Sequence, residues 1–218
     1  MKKIVLLLLL AVCGTMAAVG QISHTPQGDV DKNAQAILKK AAARFVSDAV
    51  SFNVTMVNYN AQKKETARQT ASVLYRKGSY RVTLPDQVLI SDAKSVWHWN
   101  KEANEVVVST LDASSDDLMN PAKILSSYSK NFKPKYIRTE GDGTAIIDLT
   151  PKKSMSYHKL RLFVNEKDGS LKKMEIHNYD SSRGEYIISN FKSKVKCGNN
   201  DFTFDKSKNP QVEIIDMR

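Results

Sequence analysis

Apolar residues along the chain keep two different periods, and the change from one to the other divides it. Between Asp31 and Phe45, residues Ala34, Ile37, Leu38, Ala41 and Phe45 recur at steps of three and four. That spacing puts them on one face of a helix capped by Asp31, with Lys39, Lys40 and Arg44 on the remaining surface. From Phe52 to Ser109 the period becomes two: Phe52, Val54 and Met56 alternate with Asn53 and Thr55, and Tyr80, Val82 and Leu84 with Arg81 and Thr83. This is the mark of strands with one apolar face. Gly78-Ser79, Pro85-Asp86, Ser91-Asp92 and the stretch from Asn100 to Asn104 cut the region into short antiparallel segments.

The alternation stops once, at "LDASSDDLMNPAKILSSY", where Asn120 before Pro121 predicts a helix start. Leu118, Met119, Ile124, Leu125 and Tyr128 make this insertion apolar on one side. Strands then resume through Ile147 and Leu149, through Leu160, Leu162 and Val164, and through Met174 and Ile176, with Lys167-Asp168-Gly169 as a hairpin turn between the last two. A further strand over 186–191 and the segment from Phe202 to Ile215 close the chain. About ten or eleven strands against two helical segments, with no regular β/α alternation, predict a mainly β (α+β) fold built on a large curled antiparallel sheet or open barrel.

The N-terminus stands apart from this pattern. Lys2 and Lys3 precede an apolar run from Ile4 to Val12 and then small residues, as in a secretory signal peptide. Residues 1–20 are expected to be removed after Gly20, or by a cut after Ala17; 21–32 read as a flexible leader and 33–218 as a single domain. The alternative is acylation of Cys13 and anchoring to a membrane, which branched Val12 before the cysteine disfavours. No later stretch reaches the roughly 20 apolar residues of a spanning helix. Without the first 20 residues the 33 basic side chains fall to 31 against 23 acidic ones, a charge of +8 spread along the chain. Such a dispersed surface suits solubility first, anionic headgroups or acidic partners second, and nucleic acid last. Cys197 is then the only thiol, so packing rather than an internal disulfide must hold the fold.

Candidate chemistry is sparse. His98 alternates with Trp97 and Trp99 and so faces away from both indoles. His24, His98, His158, His177 and Cys197 show no ligand spacing, and no metal or cofactor is expected. Asp116-Asp117 precede a helix, where negative charge is favourable, and Cys197 lacks a visible partner. No nucleophile elbow, P-loop or dinucleotide fingerprint occurs, and the chain is not expected to be an enzyme. An apolar inner face of this kind has two outcomes. A tightly closed barrel fills itself with its own side chains, whereas an open one leaves a hydrocarbon-lined pocket under its helices.

The run "LPDQVLISDAKSVWHWNKEANEVVV" resembles the signature of LolA-type lipoprotein carriers: a strand ending in Ser-Asp-Gly, a Trp-x-Tyr strand, an acidic turn and a valine-rich strand. The N-terminal helix ending near Phe45, "YRKGSYRV", the Asn-Pro helix, "LTPK" and "DFTFDKSKNPQVEII" follow in the same order. Ala93, Trp99 and Lys77 depart from the family's glycine, tyrosine and proline. The resemblance implies an incomplete antiparallel β-barrel covered by an N-terminal helix and a helical lid. It also implies a periplasmic role in a Gram-negative envelope, ferrying acylated lipoproteins from an inner-membrane ABC-type releasing complex to an outer-membrane acceptor. Tyr80, Val82 and Leu125 match positions that face the family's cavity. With Ile37, Leu38, Phe45, Phe52, Val54, Met56, Leu84, Trp97, Trp99, Leu118, Met119 and Ile124 they make up the candidate lipid cavity, and Arg76 is the position nearest the family's lid-latching arginine. A monomer is expected. The alternatives are an envelope sensor using the same half-barrel, or a membrane-anchored receptor if Cys13 is lipidated.

Overall fold

The computed structural model describes residues 31–46, 48–112 and 121–218. Helix α1, Lys32–Ala43, begins where the sequence places it: Asp31 Oδ1 accepts a hydrogen bond from the Ala34 amide at 3.0 Å, satisfying one of the free N–H groups of the first turn. Strands β1 (Val50–Tyr59), β2 (Glu65–Arg76), β3 (Ser79–Thr83), β4 (Gln87–Ser91), β5 (Ser95–Asn100) and β6 (Glu105–Thr110) follow. Helix α2, Pro121–Asn131, leads directly into β7 (Phe132–Thr139), and β8 (Thr144–Pro151), β9 (Tyr157–Asn165), β10 (Leu171–Asn178) and β11 (Arg183–Ser193) complete the meander. A short 3₁₀ turn, Asn199–Phe202, precedes β12 (Glu213–Asp216).

The strands form one twelve-stranded sheet in the order β12-β6-β5-β4-β3-β2-β1-β11-β10-β9-β8-β7. Every neighbouring pair is antiparallel except β12, which runs parallel to β6. The sheet ends at β7 and β12 without closing, as expected of an incomplete barrel; these two edge strands bring the number to twelve, above ten or eleven. Pairing across β1–β2–β3 matches Phe52 with Val73 and Val73 with Val82, which aligns the apolar set on one face. The same face carries Ile147, Leu149, Leu160, Leu162, Met174 and Ile176, and the helices contribute Ile37, Leu38, Ala41, Ile124 and Leu125 to a single buried cluster with them. The main contacts of the helices are with each other, β7 and β9.

Charge is sorted onto the opposite face. Asp148, Arg161 and Glu175 pair across β8, β9 and β10. Arg161 grips Asp148 with two hydrogen bonds of 2.7 and 2.9 Å. Glu175, nearly buried, takes Lys173 Nζ at 2.7 Å and His177 Nε2 at 3.1 Å. Burial pushes the Asp148 carboxyl up, but the Arg161 bonds and the charges of Arg161 and Lys159 outweigh it and hold the group below its ordinary value.

Helix α1 is tied at both ends. Asp31 Oδ2 accepts the Tyr136 amide of edge strand β7 at 2.7 Å. At the other end Lys40 Nζ donates to Glu166 O at 3.0 Å and Arg44 Nη1 to Asp168 O at 3.3 Å, in the turn joining β9 to β10. That turn comes so close that a Cβ on Gly169, whose φ is +72°, would lie 2.6 Å from the Lys40 carbonyl carbon.

Two outcomes test this arrangement. Gly169→Val adds both a left-handed β-branched residue and a backbone clash, and is expected to cost about 2–4 kcal/mol in urea unfolding. Asp148→Asn is expected to cost about 1–3 kcal/mol at pH 7. Because the folded carboxyl titrates below the unfolded one, that gap stays constant above the unfolded value of about 4 and closes as pH falls through the folded value.

Candidate functional site

The inner face of the sheet, under α1 and α2, is the candidate site. Ile37, Leu38, Phe45, Phe52, Val54, Met56, Tyr80, Val82, Leu84, Ile124 and Leu125, all singled out from the sequence, are buried here in one cluster. Phe45 sits at its aromatic centre, edge-on to Phe52 at 6.1 Å, to Tyr75 at 6.2 Å and to Phe191 at 5.7 Å. Glu175 is the one buried charged residue among the described residues, and it lies on the outer face. The inner face therefore presents hydrocarbon and aromatic rings, which can hold apolar matter by area alone. Leu118 and Met119 lie outside the described residues, as do Asp116-Asp117 and the N-terminal segment with Cys13.

Three of the sequence-derived residues fall elsewhere. Trp97 and Trp99 pair with Val108 and Val106 and point to the outer face, where they pack with Val212 and Phe204 in a second, smaller cluster. The Trp99 ring meets Phe204 edge-on at 5.5 Å, and its Nε1 is buried without a partner among the described residues. They are not part of the wall of the helix-covered core. His98, between them, lies on the inner side instead, exposed, with Nε2 2.6 Å from Gln87 Oε1. Its strand neighbours on that face, Leu89, Val96 and Val107, are only half buried, so the apolar face continues past the main contacts of the helices toward β6.

Arg76 is the third. It is the last residue of β2, and alternation from inward Tyr75 sends it outward. Its guanidinium donates to Cys197 O at 3.2 Å and Asn199 Oδ1 at 2.7 Å, and lies 4.8 Å over the Phe202 ring. Arg81, also outward, donates to Asp201 O at 2.7 Å and Thr203 O at 3.2 Å. Together they clamp the C-terminal segment across the back of the sheet, and the carbonyl that Arg76 holds is not one of α1 or α2. The reason is local: Lys77 and Gly78, with φ of +48° and +91°, make a two-residue hairpin turn. Proline cannot adopt a positive φ, so the family's arginine-proline unit has no equivalent here.

Among the inner-face positions that periodicity did not single out are Tyr186 and Ile188, which pack against the core from β11, and Val73, Tyr75 and Tyr157. Alternation with Ile187 was the available signal for the β11 pair. The sequence reading also missed a half-open cleft of about 400 Å³ at the end of β1, β10 and β11, bordered by Asn58, Tyr157, Ile176, Asn178, Gly184 and Tyr186. Tyr157 and Ile176 in its wall belong to the main core, so the cleft adjoins the apolar cluster directly.

Residues 80–205 match the family model described as "Outer membrane lipoprotein carrier protein LolA". No curated protein matches the chain. Among solved structures, an uncharacterized conserved protein from Thermus thermophilus shares the fold at 12% identity and a TM-score of 0.59, over 85% of this chain and 99% of that one. A LolA superfamily protein from Nitrosomonas europaea is 15% identical with a TM-score of 0.43, over 78% and 97%. The Pseudomonas aeruginosa MucA/MucB complex structure contains a chain 13% identical with a TM-score of 0.40, over 84% of this chain and 63% of that one.

Arg76→Ala is expected to raise amide hydrogen exchange in 197–203 at least several-fold and to leave exchange in α1 and α2 unchanged. Faster exchange in the helices instead would restore Arg76 as a latch on the lid.

Proposed function

The chain belongs to the LolA family of outer membrane lipoprotein carriers, and we propose that it binds the acyl chains of lipoproteins between its helices and its sheet and carries them across the periplasm. The observation that supports this most directly is the composition of the inner face. A continuous apolar surface from β1–β3 and β7–β10 is covered by two short helices and carries no charged residue among the described members of its core. In this reading residues 1–20 are a cleaved signal, a leader runs from there to the Asp31 cap of α1, and the remainder is one carrier domain without enzymatic activity. The donor is an inner-membrane ABC-type complex, the acceptor lies in the outer membrane, and the carrier works as a soluble monomer.

The mechanism follows from the distribution of tethers. α1, tied to β7 and to the β9–β10 turn, is a standing wall. α2 meets the inner face through Ile124 and Leu125, and Lys152 holds its C-terminal end by donating to Ser129 O from Nζ and to Asn131 O from its amide. Chains enter as α2 turns about that end and parts from α1 and the inner face. Each methylene taken from water contributes about 0.8 kcal/mol, so three acyl chains bring tens of kcal/mol. A face that supplies only hydrocarbon returns the cargo at little cost to another apolar surface.

Uptake of a fluorescent fatty acid, and its displacement by a synthetic triacylated lipopeptide, tests the proposal. Leu125→Glu places a carboxyl at a position 1% exposed, and retention is expected to fall at least about tenfold while circular dichroism still shows the folded sheet. A folded Leu125→Glu protein that retains the probe would remove α2 from the site, and a wild-type protein that takes up neither probe nor lipopeptide would overturn the function.

A further inference from the structure

The cleft at the end of β1, β10 and β11 joins two kinds of surface. Tyr157 and Ile176 on its wall are buried members of the apolar core, and the Tyr186 ring packs against that core. Most of the rest of the lining is polar and uncharged, with Asn58, Asn60, Thr66, Ser156, Asn178 and Ser182. Arg183 also borders it; its Nη2 is paired with Glu185 Oε1 at 2.8 Å and its guanidinium is stacked 4.8 Å over Tyr59, while its Nε is buried without a hydrogen-bond partner among the described residues.

Gly184 makes the space. It sits between Asn58 of β1 and Ile176 of β10, and a Cβ there would meet the Tyr186 ring at 3.3 Å and Asn58 Oδ1 at 3.5 Å. The Tyr186 side chain lies across the glycine toward Asn58, its hydroxyl 4.0 Å from the same Cβ position. Asn178 Nδ2 donates to Ser182 Oγ at 2.9 Å. Neither the Tyr186 hydroxyl nor the Asn58 side-chain amide has a hydrogen-bond partner among the described residues, although both border the cleft. Burial raises the Tyr186 phenol above its ordinary value, which keeps it a neutral donor.

We propose that this cleft is a subsite for the uncharged amide and ester groups that join acyl chains to a polypeptide, placing that junction beside Tyr186 and Asn58 while the chains run onward over Ile176 and Tyr157. The assignment rests on the carrier reading and refines it. A phenol and a carboxamide are matched to ester and amide carbonyls, and among the described residues no free cation stands in the cleft to offset the phosphate of a phospholipid. The subsite thus separates acylated protein from bulk membrane lipid, which carries the same chains on a charged head.

Three ligands are compared on the full-length mature protein: a fluorescent fatty acid, a synthetic triacyl-cysteinyl peptide, and phosphatidylglycerol with chains of equal length. Wild type is expected to bind the acylated peptide more tightly than phosphatidylglycerol. Tyr186→Phe, which keeps the ring, is expected to weaken the peptide about tenfold, the loss of one or two hydrogen bonds, and to weaken the fatty acid far less. Gly184→Leu, which fills the cleft, should weaken the peptide further, and again more than the fatty acid. Unchanged peptide binding in both variants, equal losses for all three ligands, or tighter binding of phosphatidylglycerol by wild type would each overturn the subsite while leaving the carrier reading intact. Failure of wild type to bind any of the three would overturn both.

Discussion

Strand alternation is the constraint on which this structure depends. In a single sheet of twelve strands, each side chain within a strand falls on one of two faces, and a slip of one residue exchanges the faces wholesale. The registers from β1 through β3 and from β8 through β11 are mutually consistent, so rings and aliphatic chains collect on one side and ion pairs on the other. The apolar side cannot meet water over that area, and the sheet does not close to hide it. The helices are therefore an obligatory cover.

The two faces are covered by different parts of the chain. α1 and α2 lie over the inner face toward β7 and β9, while Phe204 and Val212 of the C-terminal segment cover Trp97, Trp99, Val106 and Val108 on the outer face of β5 and β6. Arg76 and Arg81 belong to that second cover, and Lys206 joins it by donating to Pro210 O and Val212 O. Polar fixing is thus concentrated behind the sheet. Under the helices it lies at the ends of α1 and α2, and the His98–Gln87 bond sits beyond them on the uncovered part of the inner face.

Most of the inner face was legible because its strands are half buried and alternate cleanly. Phe52-Val54-Met56 and Leu160-Leu162-Val164 admit one register only. β5 was not, since Val96, Trp97, His98 and Trp99 put apolar groups on both faces, and only the cover that each face receives decides between them. β7 escaped notice because "FKPKYIRT" carries Pro134 and three basic residues. It is an edge strand, where proline and lysine are tolerated and protect against further pairing. The first half of β2, Glu65–Thr70, is exposed on both faces and so has no period to read. Arg76 was placed by likeness to a motif whose proline is missing; alternation from Tyr75 puts it on the outer face, and the turn at Lys77-Gly78 excludes that proline. The cleft had no sequence signal at all, because Asn58, Asn178 and Gly184 come together only through the pairing of β1, β11 and β10.

A carrier of acyl chains must bind strongly against water and weakly against a membrane. Hydrocarbon contact meets both conditions, because the area hidden in the protein is matched by the area hidden in the next apolar site, and the difference between them is small. An ion pair to the cargo would break that symmetry, since the bilayer interior offers no equivalent and release would leave a buried charge unpaired. The sorting of Asp148, Arg161, Lys173 and Glu175 to the outer face keeps the inner one free of such groups. A cleft at its end whose one cation, Arg183, is paired with Glu185 is compatible with the same requirement: hydrogen bonds to esters and amides are exchangeable with those of the headgroup region, so in the proposed subsite they would bias which molecule is taken up without holding it back.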